Sequence, residues 1–318
     1  MNAILIRNTL LLSLLLPFAA SAQESIDESR SVTANERVSI EVMRGDVRIR
    51  VAEDNVFRVR GTIDEDAEGY TLESDNGFTR FEVDYPRSSR GWNNDDDDGS
   101  ELEIEVPAGS ELELEGISVD VDVMGITGST TIQTVNGGIT ASQLSGFIDL
   151  TAVNGEINSS NNSGRIEIIT VNGEVTDSNS TGRIEYSTVN GEIRASSSAS
   201  EISVSTVNGE AELSLTGTEV LEMGTVNGDI EVRLAGSLSP RIDGNTVSGD
   251  LRLELERDIN ASFDITTNAG GDIENDLSDA RPTSDRYGPR KQLNFSTGTG
   301  SGSVNITTVS GDIEIAPL

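Results

Sequence analysis

The residues with the most chemical potential in this chain are carboxylates that recur at one place in a repeat. Glu156, Glu174, Glu192, Glu210, Asp229 and Asp250 each follow a glycine, and Asp272 and Asp312 hold the same position further on. If successive repeats stack like β-strands, neighbouring carboxylates lie about 4.8 Å apart. Two unit charges at that separation repel by about 1 kcal/mol even at the dielectric of water. Such a column needs solvent, arginines, cations or protonation. Three chemistries fit it. It is a solvated acidic edge that deters strand addition, or a low-affinity site for Ca²⁺ or a cationic ligand. The third is the carboxylate pair of a retaining glycosidase, whose members sit about 5–5.5 Å apart. A repeated column marks no single place for that last reaction, so no catalytic residue is assigned.

Composition removes many alternatives. The 318 residues contain no cysteine and no histidine, and Asp+Glu number 55 against 22 for Lys+Arg, a net charge of -33. Cys- and His-based metal centres, Ser-His-Asp and Cys-His nucleophiles and disulfides are excluded. No other metal centre and no cofactor is expected. The charge opposes binding to nucleic acid and to anionic lipid. Asp95 to Asp98, beside Trp92, Asn93 and Asn94, read as an acidic loop. Their spacing does not match a calcium loop.

The elements that must position the carboxylates follow from an internal repeat. Val-Asn-Gly begins at Val135, Val153, Val171, Val189, Val207 and Val226, and Val-Ser-Gly at Val247 and Val309. The first four steps are 18 residues each, with a glycine period of nine inside them. Apolar residues alternate at period two, as in Ile148/Leu150 and Ile166/Ile168, which is a strand pattern. Glycine every nine residues suits corners. The expectation is an all-β chain: a parallel β-solenoid (β-helix) of about 18-residue coils, two strands and two corners each. Ile148, Ile166, Ile184, Ile202 and Val220 should stack as one inward ladder. Ile139, Ile157, Val175, Ile193, Ala211 and Ile230 should stack as the other. Asn-Gly suits positive φ at a corner, and Asn136, Asn154, Asn172, Asn190, Asn208 and Asn227 should bond amide to amide as a structural column. Arg165 and Arg183 are placed to pair with Glu167 and Glu185 of adjacent coils.

The ends differ. Residues 1–22 carry Arg7, an apolar run from Leu10 to Ala20 and a small-x-small site at Ala20-Ser21-Ala22. They read as a signal peptide for export, too short to span a membrane, and no membrane insertion is expected once it is removed. Residues 23–111 read as an irregular N-terminal β cap carrying the acidic loop, and 112–318 as the solenoid. A loop at 275–292, with Pro282, Pro289 and Lys291, is inserted into it.

The elements "TVNGEI" and "TVSGDI", with "LEIEVPAGSELELEGISVDVDV" and "GSGSVNITTVSGDIEI", resemble the bacterial putative-adhesin family of β-strand repeats. That family is a domain of unknown function, akin to adhesin-like head GIN domain proteins. The resemblance spans most of Glu101 to Ile315. It implies a β-solenoid of the cell envelope and carries no catalytic residues. The reading is an exported, non-enzymatic, adhesin-like repeat protein of the periplasm or cell surface, with an unidentified protein or glycan ligand. The alternatives are a carbohydrate-active β-helix enzyme, by fold analogy, and a periplasmic envelope sensor or regulatory partner.

Overall fold

The computed structural model describes residues 24–86 and 99–318. The proposed signal peptide and the Trp92–Asp98 loop lie outside the described residues. Among those described, regular structure is all β, with no helix. Most strands pair in parallel with the strand one repeat away. Ser145–Ala152 pairs with Ser163–Thr170, which pairs in turn with the second half of Val175–Thr188, each residue facing its equivalent 18 positions on. Ile157–Ser160 lies between Ile139–Ser142 and the first half of Val175–Thr188 in the same register. Two strands and two corners therefore make one coil, and the coils stack along the strand-pairing direction.

Alternation decides what is buried. Ile148, Ile166, Ile184 and Ile202 are in register and buried, as are Ile139, Ile157, Val175, Ile193, Ala211 and Ile230. The first ladder does not continue through Val220. Ile202 faces Leu221, which is buried, while Val220 faces Glu201. The cause is one extra residue in the corner before Val220, where Gly217 has φ 72°; a shift of one residue exchanges the two faces of a strand.

The stack begins earlier than residue 112. Arg37–Val51 pairs in parallel with Glu111–Met124 along both halves, from Arg37/Glu111 to Ile49/Val123, and is the first coil. The expected boundary near residue 111 thus falls within continuous pairing. Two flaps cover the exposed side of this coil. Phe78–Asp84 pairs with its first half and Ser100–Val106 with its second. Antiparallel strands complete each flap: Gly69–Asp75 beside the one, then Val56–Thr62 and Ser25–Ser31 beside the other. Antiparallel pairing ends the parallel repeat and covers the edge of the first coil. Arg44, at the corner of the first coil, fastens the cap by donating to both Asp64 and Asp66. Tyr85 donates to Asp64 at 3.1 Å. Burial raises the Asp64 carboxyl, but the Arg44 bond and the other donors outweigh it and leave its pKa below the usual value.

At the far end the order of coils departs from the order of sequence. Gly302–Thr308 lies between Arg241–Thr246 and Ala261–Thr267, parallel to both. Ile313–Pro317 lies between Leu251–Leu255 and Ile273–Asn275. The last coil of the chain is thus inserted between two earlier ones. The segment expected as a plain loop at 275–292 carries Thr283–Ser284 and leads into Lys291–Ser296, which runs antiparallel along Ala261–Thr267 and closes that edge. Phe263 and Phe295 stack there at 4.2 Å between ring centroids.

Candidate functional site

One corner of each coil brings together the residues singled out in the sequence. In "TVNGE" the threonine points inward, the valine, asparagine and acid point outward, and the glycine lies against the coil before it. Each type forms its own column.

The glycines explain the corner. No positive φ occurs at Gly155, Gly173, Gly191, Gly209 or Gly228, so the expected left-handed Asn-Gly turn is absent here. Close approach of backbones is the reason for glycine instead. A Cβ on Gly173 would sit 1.8 Å from the carbonyl oxygen of Gly155, and one on Gly228 1.7 Å from that of Gly209. The left-handed geometry appears at the opposite corner, at Gly146, Gly164 and Gly182 and at Gln143, Asn161 and Asn179. Asn and Gly tolerate that region best.

The asparagine column is continuous. Asn154 Nδ2 donates to Asn136 Oδ1 at 2.9 Å, and the pattern repeats through Asn172, Asn190, Asn208 and Asn227 at 2.8–3.0 Å. Each amide keeps one N–H and one lone pair for solvent or a ligand. Beside it runs an apolar column, with Ile117, Val135, Val189, Val226, Val247 and Val309 each about two-fifths exposed. At its N-terminal end, Val42, Met43, Val83 and Ile117 line a groove of about 260 Å³ edged by Glu41, Glu82 and Glu115.

The acidic column is in register. The backbone N–H of the residue after each acid donates to the carbonyl of the next acid, through Glu156, Glu174, Glu192, Glu210, Asp229 and Asp250, then Asp312, then Asp272. The last two are exchanged relative to sequence because of the inserted coil. Glutamates and aspartates behave differently. Asp229 and Asp250 are short enough to accept the backbone N–H of the following acid, at 2.8 Å each, and Asp312 does the same for Asp272 at 2.7 Å. Arg194 bridges Glu174 and Glu192, and Lys291 pairs with Asp272. Among the described residues no three acidic side chains converge closely enough to hold a metal ion.

A second acidic column crosses the adjacent face at Asp149, Glu167 and Glu185. Partial burial, followed by the repulsion of Asp149 and Glu185, raises the Glu167 pKa. The expected pairing of Arg183 with Glu185 or Glu167 gives way to Glu201, 3.2 Å away in the next coil. Arg165 stacks directly on Arg183 in register. Both arginines stand two residues before their glutamates on the same strand, so register puts like beside like.

Two features went unread in the sequence. The first is the inward threonine column. Thr206 and Thr225 hydroxyls accept the N–H of Gly209 and Gly228 at 3.0 Å, which ties the corner from inside. The threonine before the valine in every repeat from Val171 to Val247 was the available signal. The second is a buried acid at the other corner. Asp177 accepts bonds from Ser180 at 2.6 Å and from the wholly buried Tyr186 at 2.7 Å. Desolvation raises the pKa of both Asp177 and Tyr186. Asp177 occupies an inward position held by Ser159 and Ala195 in neighbouring coils, which alternation alone would have flagged.

The family model described as Toastrack DUF4097 matches residues 35–316. No curated protein matches the sequence. Solved structures that match the chain include a putative cell adhesion protein from Clostridium sporogenes ATCC 15579, at 11% identity over 93% of this chain and 100% of that one, TM-score 0.24. Another is a putative lipid binding protein from Parabacteroides distasonis ATCC 8503, at 14% identity over 91% and 96%, TM-score 0.43. A third is a putative adhesin from Bacteroides fragilis NCTC 9343, at 10% identity over 93% and 98%, TM-score 0.37. In the described residues no helix is long and apolar enough to cross a membrane.

Proposed function

The chain belongs to the Toastrack DUF4097 family, and we propose that it is an exported, non-enzymatic, adhesin-like protein of the cell envelope. Its role is binding or structural, and the Val-Asn-Gly-acid corner is its binding face. The observation that carries this reading is the continuity of the corner. One valine and one amide with spare hydrogen-bonding capacity recur in each coil from Val135 to Asn208, and one carboxylate stands beside them in each coil from Glu156 to Glu210. A flat periodic face of that kind suits an extended ligand that repeats its own contacts, such as a glycan or a strand-like protein segment. An enzyme would concentrate its acids at one irregular place, and these are evenly distributed. Residues 1–22 support export to the periplasm or cell surface.

The test is an array of glycans and envelope components probed with the chain from Gln23 onward, with and without millimolar Ca²⁺. Saturable binding to one class is expected. Replacing Asn154, Asn172 and Asn190 together by alanine should weaken it at least tenfold, about 1.4 kcal/mol, while Arg183→Ala, near the other corner, should not. Binding unchanged by the triple substitution, in protein that still melts cooperatively, would remove the corner from consideration. A Ca²⁺-dependent rise in melting temperature would favour a cation-bridged acidic edge over a solvated one.

A further inference from the structure

The inserted terminal coil has a consequence for how this chain meets a second copy of itself. Gly302–Leu318 is hydrogen-bonded on both sides. Ser303 donates to Pro240 and Ser310 to Val247 on one side, both at 2.9 Å; Ala269 donates to Val309 at 2.7 Å on the other. The coils that flank it carry the same columns as the tail. Ile242, Val304 and Phe263 are in register, as are Leu251, Ile313 and Ile273. Gly249, Gly311 and Gly271 lie in one close-packed glycine column, and Asp250, Asp312 and Asp272 in one acidic column.

The slot therefore recognises a coil by repeat pattern, and nothing in it distinguishes a tail of this chain from the tail of another. The tail is joined to the rest by Thr297–Ser301, in which Gly298 and Gly300 have φ of 58° and 69°. This turn is pinned chiefly by one side chain, Asn260, whose Oδ1 accepts the N–H groups of Thr299 and Gly300 at 2.7 Å. Topology adds a folding constraint. The tail coil is made after both coils that flank it, yet it must enter between them. Until it arrives, the slot is open to any chain that presents the pattern. Repeat proteins exchange identical elements under these conditions, and such exchange is a low-cost route to dimers.

We propose that Gly302–Leu318 is an exchangeable coil, and that a second copy of this chain can supply it to give an intertwined dimer. The absence of native cysteine makes the test clean. Asn245 and Thr307 are exposed register partners across the slot, at a strand separation compatible with a disulfide. The double variant Asn245→Cys/Thr307→Cys should oxidise within one chain. Chains carrying Asn245→Cys alone and chains carrying Thr307→Cys alone are then unfolded, refolded together and oxidised. A covalent heterodimer is expected, its yield rising with chain concentration. The same two variants mixed as native monomers should give much less. The proposal is overturned if co-refolding yields no heterodimer while the double variant closes internally, or if native mixing yields as much as co-refolding. It is equally overturned if the double variant does not close, because the tail would then not occupy the slot.

Discussion

At the residue scale, the corner positions are not equivalent in what they tolerate. Gly173 has a carbonyl oxygen 1.8 Å from where a Cβ would be, whereas Gly224 has nothing within 4 Å. Gly173→Ala should force neighbouring coils apart and lower the melting temperature by many degrees, while Gly224→Ala should leave it nearly unchanged or raise it slightly. Parallel thermal melts of the two variants read this directly. Asn172 donates to one neighbour and accepts from another, whereas Asn136 accepts from only one of these amides. At about 0.5–1.5 kcal/mol per bond in a buried setting, and toward the lower end on this exposed edge, Asn172→Ala should cost about twice what Asn136→Ala does in denaturant unfolding. Asp177 adds a pH dependence of known sign. Its folded pKa is raised, so between the ordinary Asp value and the raised one the folded state holds more protons than the unfolded state. Stability from this group is therefore greatest at low pH and declines as pH rises through that window. Urea midpoints measured from about pH 4 to pH 7 should fall less in Asp177→Asn than in the parent.

At the element scale, the strands are held by their inward ladders and stopped by antiparallel caps. Ile166 is 1 % exposed and faces Ile148 on one side and Ile184 on the other. Ile166→Asp should destabilise the chain by about 4 kcal/mol or more by placing a charge in that ladder. Ile166→Val should cost about 1 kcal/mol. Equal unfolding midpoints for the two would mean the residue does not face the core. The element pattern was legible in the sequence wherever the 18-residue step held, because alternation and the Val-Asn-Gly spacing fix facing and register together. It failed at Val220, where one inserted residue moved the inward position to Leu221. Pairing partners were less legible than strands. Arg183 pairs with Glu201, since register stacks Glu167 and Glu185 on each other.

At the scale of the whole molecule, repetition explains how a cysteine-free chain of net charge -33 holds together. Each coil buries its two ladders only against neighbours, and the acids are spread along an edge or tied to backbone N–H groups, Arg194 and Lys291. Sequence carried the architecture and the candidate corner because both are periodic. It did not carry the order of the last coils. "TTVSGDIEI" fits the repeat and "TTNAGGDIEN" fits it with one added glycine, and only their three-dimensional arrangement shows that the former is inserted ahead of the latter. Alternation marks Asp177 as inward, but its small, uncharged column neighbours Ser159 and Ala195 give no sign of the bond from Tyr186.

One corner runs the length of the stack, from Asn136 to Ala269. The most direct measurement is a set of distances between paired spin labels at corner positions, with Asn136 as the common origin. Labels at Asn190, Asn227, Ser310 and Ala269 lie three, five, seven and eight coils away. The distances should lengthen by about 4.8 Å per coil, with Ser310 closer to the origin than Ala269 despite its later place in the sequence. Distances that do not grow with coil number would contradict the stacked corner. Ala269 closer than Ser310 would contradict the inserted tail.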